Sequence, residues 1–121
     1  MKRLCHCLGP ILLLALVLGS GGGCSKSARA SRELQSANRD FDAEKYESAE
    51  VEYKSVLSLD RMNSTAIGQL GRLYAKDGRI VDAHVYLTKA VELQPNSLPF
   101  QLALGQVDAA FRDLTNASNI A

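Results

Sequence analysis

The chain has 121 residues, of which 46% are hydrophobic and 22% are charged. It therefore has room for one small domain and is too apolar for a disordered chain. Its 14 basic and 13 acidic residues give a net charge of only +1, and it has no tryptophan. Such a chain lacks the basic patch and stacking platforms of nucleic-acid-binding proteins, so we expect no nucleic-acid partner.

Residues 1–24 have the three-part pattern of an export signal. Lys2 and Arg3 precede an apolar run over residues 8–18, and small residues at positions 19–23 lead to Cys24. The apolar run is about half as long as the roughly 20 residues that a transmembrane helix needs. We therefore predict that residues 1–24 direct export.

The end of this segment resembles the lipobox of bacterial lipoproteins, because a cysteine directly follows small residues. The resemblance implies that Cys24 is lipidated and becomes the mature N-terminus. Ser25 is similar to the residue found there in lipoproteins sorted to the outer membrane, which implies an anchor on its periplasmic face. The alternative is cleavage after Ala28-Arg29-Ala30, which would release a soluble periplasmic protein.

Two further expectations concern the chain around this processing site. Residues 25–31 are small and charged without apolar periodicity, so we predict a short tether there. Cys5, His6 and Cys7 are metal-ligand types, but they lie in the segment that export would remove. We therefore expect no metal site in the mature chain.

From residue 32 onward the sequence repeats at a fixed spacing. Two sets of small residues keep this spacing: Ala37, Gly71 and Gly105, and Ala49, Ala83 and Ala117. A period of about 34 residues is typical of units made of two helices. It predicts three units: residues 32–63, residues 64–97 and a partial third over residues 98–121.

Apolar spacing within the second unit predicts its two helices. One helical face carries residues at i, i+3, i+4 and i+7: Ile67, Leu70, Gly71 and Tyr74. Gly78 can adopt the positive φ that ends such a helix. A second amphipathic run begins at Ile80 and stops before Pro95.

These segments resemble tetratricopeptide repeats. The second unit carries the resemblance at seven positions: Leu70, Gly71, Tyr74, Gly78, Ala83, Ala90 and Pro95. The resemblance implies an all-α solenoid of helical hairpins with about two and a half repeats. It also implies structural roles for Ala49, Gly71, Tyr74, Ala83, Pro95 and Gly105.

The third unit reaches Ala121 within what the resemblance implies is its second helix. Stacked repeats bury their apolar faces on neighbours and need a polar end. We therefore expect either the front of a longer array or a final helix that a partner or a second copy covers.

The sequence offers little for catalysis. The mature chain has one histidine, His84, beside Ala83, and no second histidine or cysteine pair completes a metal site. Neither a phosphate-binding loop nor a dinucleotide fingerprint is present. We expect no enzyme activity, no catalytic residue and no cofactor, and we expect His84 to be a packing or surface residue.

Binding of a partner protein is the function that the resemblance implies. In this family the first helix of each unit lines a concave surface where peptides or helices dock. The polar residues implied for that surface are Asn38, Asp42, Thr65, Gln69, Arg72, Lys76 and Gln106. Three of them are one period apart and should form a row: Asn38, Arg72 and Gln106. Arg72 and Lys76 would attract acidic groups.

The chain as a whole resembles bacterial envelope lipoproteins built from such repeats. The resemblance implies a noncatalytic interaction scaffold of the cell envelope. The alternative is the front of a longer array, or a module that self-associates through its incomplete third unit, in polysaccharide export, pilus or outer-membrane assembly.

Overall fold

The computed structural model describes residues 21–120, with side chains from residue 25 onward, and this range consists of five helices joined by short turns. The five helices are α1 (Gly21–Asp42), α2 (Tyr46–Leu59), α3 (Ser64–Lys76), α4 (Ile80–Leu93) and α5 (Leu98–Ile120). No strand occurs in this range, so the all-α prediction is confirmed. None of the described helices combines the length and apolar character needed to span a bilayer. Three parts of the sequence predictions lie outside the described residues: the predicted export signal up to residue 20, the side chain of Cys24, and the group of Cys5, His6 and Cys7.

The helices pack as two hairpins followed by a single helix. α1 lies along α2, α3 lies along α4, and α2 contacts α3 to join the hairpins. α5 packs mainly on α4 and also touches α3. The sequence period recurs in the helix bounds: α2 and α4 begin at Tyr46 and Ile80, and α3 and α5 begin at Ser64 and Leu98. Equivalent sequence positions therefore occupy equivalent places in successive helices.

Both hairpin turns depend on one residue with positive φ. Gly78 has a φ of 75°, and Glu44, the equivalent residue of the first hairpin, has a φ of 60°. The next amide closes each helix end by donating to a carbonyl five residues back: Lys45 to Asp40 and Arg79 to Tyr74, both at 2.9 Å. The sequence pattern indicated this turn only at Gly78, because a glutamate has a steric penalty of about 1–2 kcal/mol there.

The third unit differs from the prediction of a second helix near its end. The residue equivalent to Gly78 is Arg112, and α5 continues through it as one helix of 23 residues. Arginine favours the helical conformation and has no preference for positive φ. Phe111 also packs against α4, where its ring stacks on His84 with centroids 4.5 Å apart. The turn therefore does not form at this position.

Residues 25–31, for which the sequence predicts a short tether without regular structure, are helical and form part of α1. Ala30 is only 6% exposed and extends a stripe along α1 that continues with Leu34, Ala37 and Phe41. Arg29 and Glu33 form an i, i+4 ion pair at 2.7 Å on the same segment. Ala30 is the only buried residue of this segment, so the segment has no repeated apolar spacing that would predict a helix.

A ladder of serine–carboxylate hydrogen bonds links α1 to α2. Each pair has a serine hydroxyl as donor: Ser55 to Glu33 (2.5 Å), Ser36 to Glu52 (2.8 Å) and Ser48 to Asp40 (2.5 Å). The hydrogen bond from Ser55 is the main cause that lowers the pKa of Glu33. The opposite edge of α2 contacts the second hairpin, where the carboxylate of Glu50 accepts from Tyr74 and Arg79. The ladder therefore lies on the side of the first hairpin away from the second.

The ladder marks a polar end of the helical stack. On α1 the ladder consists of Glu33, Ser36 and Asp40. The residues 34 positions later are buried and mainly apolar: Ile67, Leu70 and Tyr74. Ile67 belongs to a cluster that Leu57 of α2 packs against, so these positions of the second hairpin face a preceding helix. The equivalent positions of α1 lack such a neighbour among the described residues and are polar. The first hairpin can therefore end the stack in water.

Small residues bring the helices of each hairpin together. Ala49 and Ala83 have no exposed surface, and Tyr74 is 2% exposed. A Cβ atom added at Gly71 would lie 2.7 Å from the Leu87 side chain of α4. Pro95 lies in the turn after α4, which ends at Leu93. Gly105, one period after Gly71, is exposed, and a Cβ there would meet nothing within 4 Å.

We predict opposite effects for the same substitution at these two glycines. Gly71→Ala should lower the free energy of unfolding by about 1–3 kcal/mol, because the added methyl overlaps Leu87. Gly105→Ala should raise it by about 0.5–1 kcal/mol, because alanine is the better helix former and has open space. Urea denaturation of dilute protein measures both. Equal effects at the two positions would contradict the packing difference.

Candidate partner-binding surface

Four of the predicted binding residues lie along one face of α3. Thr65, Gln69, Arg72 and Lys76 follow at i, i+4, i+7 and i+11, the spacing of a helical stripe. Thr65, Gln69 and Arg72 are partly buried, and Lys76 is exposed. Asparagine caps this helix at its start, since the Asn63 side chain accepts from the Ala66 amide. The stripe therefore runs the length of a well-defined helix.

A shallow depression opens between α3 and α5 at the end of this stripe. Its volume is about 270 Å³, and its lining is Arg72, Ala75, Lys76, Ala103 and Gln106. The lining combines two short alanines with three longer polar side chains. The structure thus brings together three of the seven residues that the resemblance implied for a binding surface: Arg72, Lys76 and Gln106. We call this depression the α3–α5 groove.

The two cations of the groove also reach back to aromatic rings of the first hairpin. The Arg72 guanidinium carbon lies 5.1 Å from the centroid of Phe41, and Lys76 Nζ lies 5.6 Å from the centroid of Tyr46. The two rings contact each other edge to face, with centroids 5.7 Å apart. Cations at such distances are attracted to the negative faces of the rings. The aromatic pair therefore orders both cations.

Neither cation has an acidic partner within the described residues. Arg72 donates from Nη1 to the side-chain oxygen of Gln69 at 2.8 Å. Five other cations do have carboxylate partners: Arg29, Lys45, Lys54, Arg79 and Lys89. Among residues 25–120, Arg72 is the partly buried cation without such a pair. Its charge is therefore available to an acidic group from outside.

Asn38, which the sequence predicted to form a row with Arg72 and Gln106, does not line the α3–α5 groove. Its side-chain oxygen accepts a hydrogen bond of 2.7 Å from the Tyr53 hydroxyl, within the first hairpin. Burial raises the pKa of Tyr53, and the charge of nearby Asp42 adds to this rise. Asp42 itself is exposed at the end of α1. The Asn38–Tyr53 contact joins two different helices, so the repeat pattern alone did not indicate it.

Glu50 links the two hairpins, a role that its place in an acidic run of the sequence did not indicate. Its carboxylate accepts from Lys54 at 2.5 Å, Tyr74 at 3.2 Å and Arg79 at 3.4 Å. The hydrogen bond from Lys54 is the main cause that lowers the pKa of Glu50. The guanidinium of Arg79 also lies 4.0 Å from the Tyr74 ring centroid. Only the Lys54 contact follows a helical spacing in the sequence.

His84 is part of the packing between α4 and α5. Its ring stacks on Phe111, and Nε2 lies 3.1 Å from an Asp108 carboxylate oxygen. No group of three or more potential metal ligands occurs among the described side chains.

Comparison with protein-family models and with curated proteins finds no match for the chain. A function of the α3–α5 groove is therefore inferred from the chemistry of the residues that line it.

We predict that Tyr53 makes the fold sensitive to alkali. Its pKa is raised in the folded chain, so its stabilising contribution is complete below the unfolded value of about 10 and is lost as the pH rises above it. Tyr53→Phe should reduce the alkaline loss of stability, although it also removes the hydrogen bond to Asn38. Urea denaturation on both sides of about pH 10 tests this. An unchanged pH dependence in the variant would contradict it.

Proposed function

We propose that this chain is a noncatalytic scaffold that binds an acidic segment of a partner protein in the α3–α5 groove. The observation that carries the proposal is the pair Arg72 and Lys76. Both cations lie over aromatic rings at the wall of an open depression, and neither has a carboxylate partner within residues 25–120. The proposal assigns no catalytic role to His84, whose ring packs on Phe111 between α4 and α5.

The groove has the chemistry to receive a carboxylate. The Arg72 guanidinium carries several donors in a planar fork, which suits two parallel hydrogen bonds to one carboxylate. Lys76 adds a second positive charge, and Gln106 adds an amide at the α5 side. Because the rings of Phe41 and Tyr46 already order both cations, binding loses less side-chain entropy than it would with free side chains.

A solenoid of the tetratricopeptide type is the architecture that we propose around this groove. Its support is the recurrence of the helix starts and of the positive-φ turn after one sequence period. A stack of such hairpins presents the first helix of each unit on one side, which matches the positions of α3 and α5 beside the groove. The acidic segment of the partner protein would then lie across α3 and α5, the first helices of the second and third units.

The cell envelope is the compartment that we propose. The pattern of residues 1–24 and the lipobox-like Cys24 support export and a lipid anchor on the outer membrane. A soluble periplasmic protein is the alternative. A role as part of a longer array in polysaccharide export, pilus or outer-membrane assembly is a second proposal, supported by the recurrence of the helix starts after one sequence period.

A photo-crosslinking amino acid at Gln106 tests the groove in cells. We expect it to capture a partner segment rich in aspartate and glutamate, identified by mass spectrometry. The same amino acid at Val51, which is 69% exposed on α2 and does not line the groove, is the control. The double variant Arg72→Glu with Lys76→Glu should weaken binding of that purified segment at least tenfold, or about 1.4 kcal/mol.

A charge-matched variant separates the groove from general charge effects. Arg39→Glu with Arg61→Glu makes the same change at two exposed cations that have no ion pair among the described residues and do not line the groove. It should leave the affinity within about twofold. A captured segment without acidic residues, or equal losses in both double variants, would remove the groove proposal.

The intact mass of the processed protein tests the proposed anchor. In a bacterial host we expect a mass that begins at a lipid-modified Cys24, together with partitioning into the detergent phase. The hydrophobic chains of the lipid cause that partitioning. A lipid-free mass beginning at Ser31 would show a soluble protein instead.

A further inference from the structure

α5 carries an apolar stripe on the side that faces away from the other helices. Leu98, Leu102, Gly105 and Ala109 follow at i, i+4, i+7 and i+11, and all four are exposed. Leu98 is 61% exposed and Leu102 is 59% exposed. The opposite side of α5 is buried at Phe100 and Val107. We call the four exposed residues the α5 stripe.

The stripe continues a surface that the fold covers one period earlier. In the second hairpin, Leu87 of α4 packs against Gly71, and the Phe100 ring of α5 packs against Gly68. The equivalent positions on α5 are Gly105 and Leu102, and both are open. Within the chain, side chains from helices α4 and α5 cover the equivalent positions Gly71 and Gly68. A helix is therefore the element that we expect to cover the α5 stripe.

The stripe is complementary to itself. Its first half holds the large side chains Leu98 and Leu102, and its second half holds the small residues Gly105 and Ala109. Two antiparallel copies of α5 related by a two-fold axis near Gly105 would place Leu102 of each copy opposite Ala109 of the other. A leucine would then fill the space above a small residue, as Leu87 does at Gly71.

Charge favours the same arrangement. The stripe itself carries no charged residue, so no like charges meet beside the two-fold axis. Of the charged side chains near the stripe, Asp108 is paired with His84 at 3.1 Å, whereas Arg112 and Asp113 follow Ala109 and are exposed. In the paired copies these two would lie beside Leu98 at the edge of the contact, where a charge can stay in water. Burial of Leu102, Gly105 and Ala109 against a second copy therefore removes apolar surface from water without burying an unpaired charge.

The other end of the molecule limits the form of the assembly. The serine–carboxylate ladder makes the outer side of the first hairpin polar, so it does not fit the apolar stripe in a head-to-tail stack. An isologous contact uses the same surface on both copies and closes as a dimer. We infer that two copies of this chain pair through antiparallel α5 stripes. This inference does not depend on the α3–α5 groove.

Single-cysteine crosslinking of the full chain in a mild detergent tests the pairing. Cys5, Cys7 and Cys24 are changed to Ser, so that only the introduced thiol reacts. Gly105→Cys should give a disulfide-linked dimer, because the two copies of this residue lie beside the axis. Leu98→Cys should give none, because its copies are roughly 20 Å apart along the helices. No dimer with Gly105→Cys, or equal yields at both positions, would overturn the inference.

The second test compares glutamate substitutions at two exposed leucines of α5. Leu102→Glu, combined with Gly105→Cys, should reduce the dimer yield at least tenfold, because a charge enters the stripe. Leu114→Glu is the matched control, since Leu114 is 51% exposed and lies on another side of α5. It should change the yield less than twofold, and circular dichroism should show intact helices in both variants. An unchanged yield with Leu102→Glu would overturn the inference, whereas Arg72→Glu with Lys76→Glu should leave the yield unaffected.

Discussion

Close contact between helices at small side chains is the constraint on which this structure depends. At Gly71 the backbone of α3 meets Leu87 of α4 with no room for a Cβ atom, and Ala49 and Ala83 are fully buried. Helices that approach so closely bury their larger apolar neighbours completely, as Tyr53 and Leu70 show. Each hairpin is therefore a rigid unit, and the hairpins then stack.

The candidate groove follows from this rigidity. Arg72 comes directly after Gly71, so the contact that fixes α3 against α4 also fixes the direction of the arginine. It points across the hairpin boundary to the ring of Phe41, while the other side of the depression is supplied by Ala103 and Gln106 of α5. The lining comes from α3 and α5, two helices of different units, so the packing of these helices sets the shape of the groove, which suits rigid presentation of charge to a partner.

The two ends of the stack show how local sequence decides which surfaces stay exposed. One period apart, the same structural positions hold Glu33, Ser36 and Asp40 in α1 and Ile67, Leu70 and Tyr74 in α3. The α1 set forms hydrogen bonds at the surface, and the α3 set is buried. In α5 the outer side is apolar rather than polar, because Leu98 and Leu102 are exposed there. A polar end and an apolar end give the molecule a direction.

The sequence by itself determined the helical class, the repeat period, the turn at Gly78 and the stripe of polar residues on α3, since all of these depend on local spacing and on single-residue conformational preferences. Only the tertiary structure decided the turn at Glu44, the single long helix α5 and the helical segment 25–31, where contacts outweigh weak local signals. It also decided that Asn38 bonds to Tyr53, whereas Arg72, Lys76 and Gln106 share a groove. Such contacts join residues from separate helices, and the energy that selects them comes from packing and desolvation, which a one-dimensional pattern does not contain.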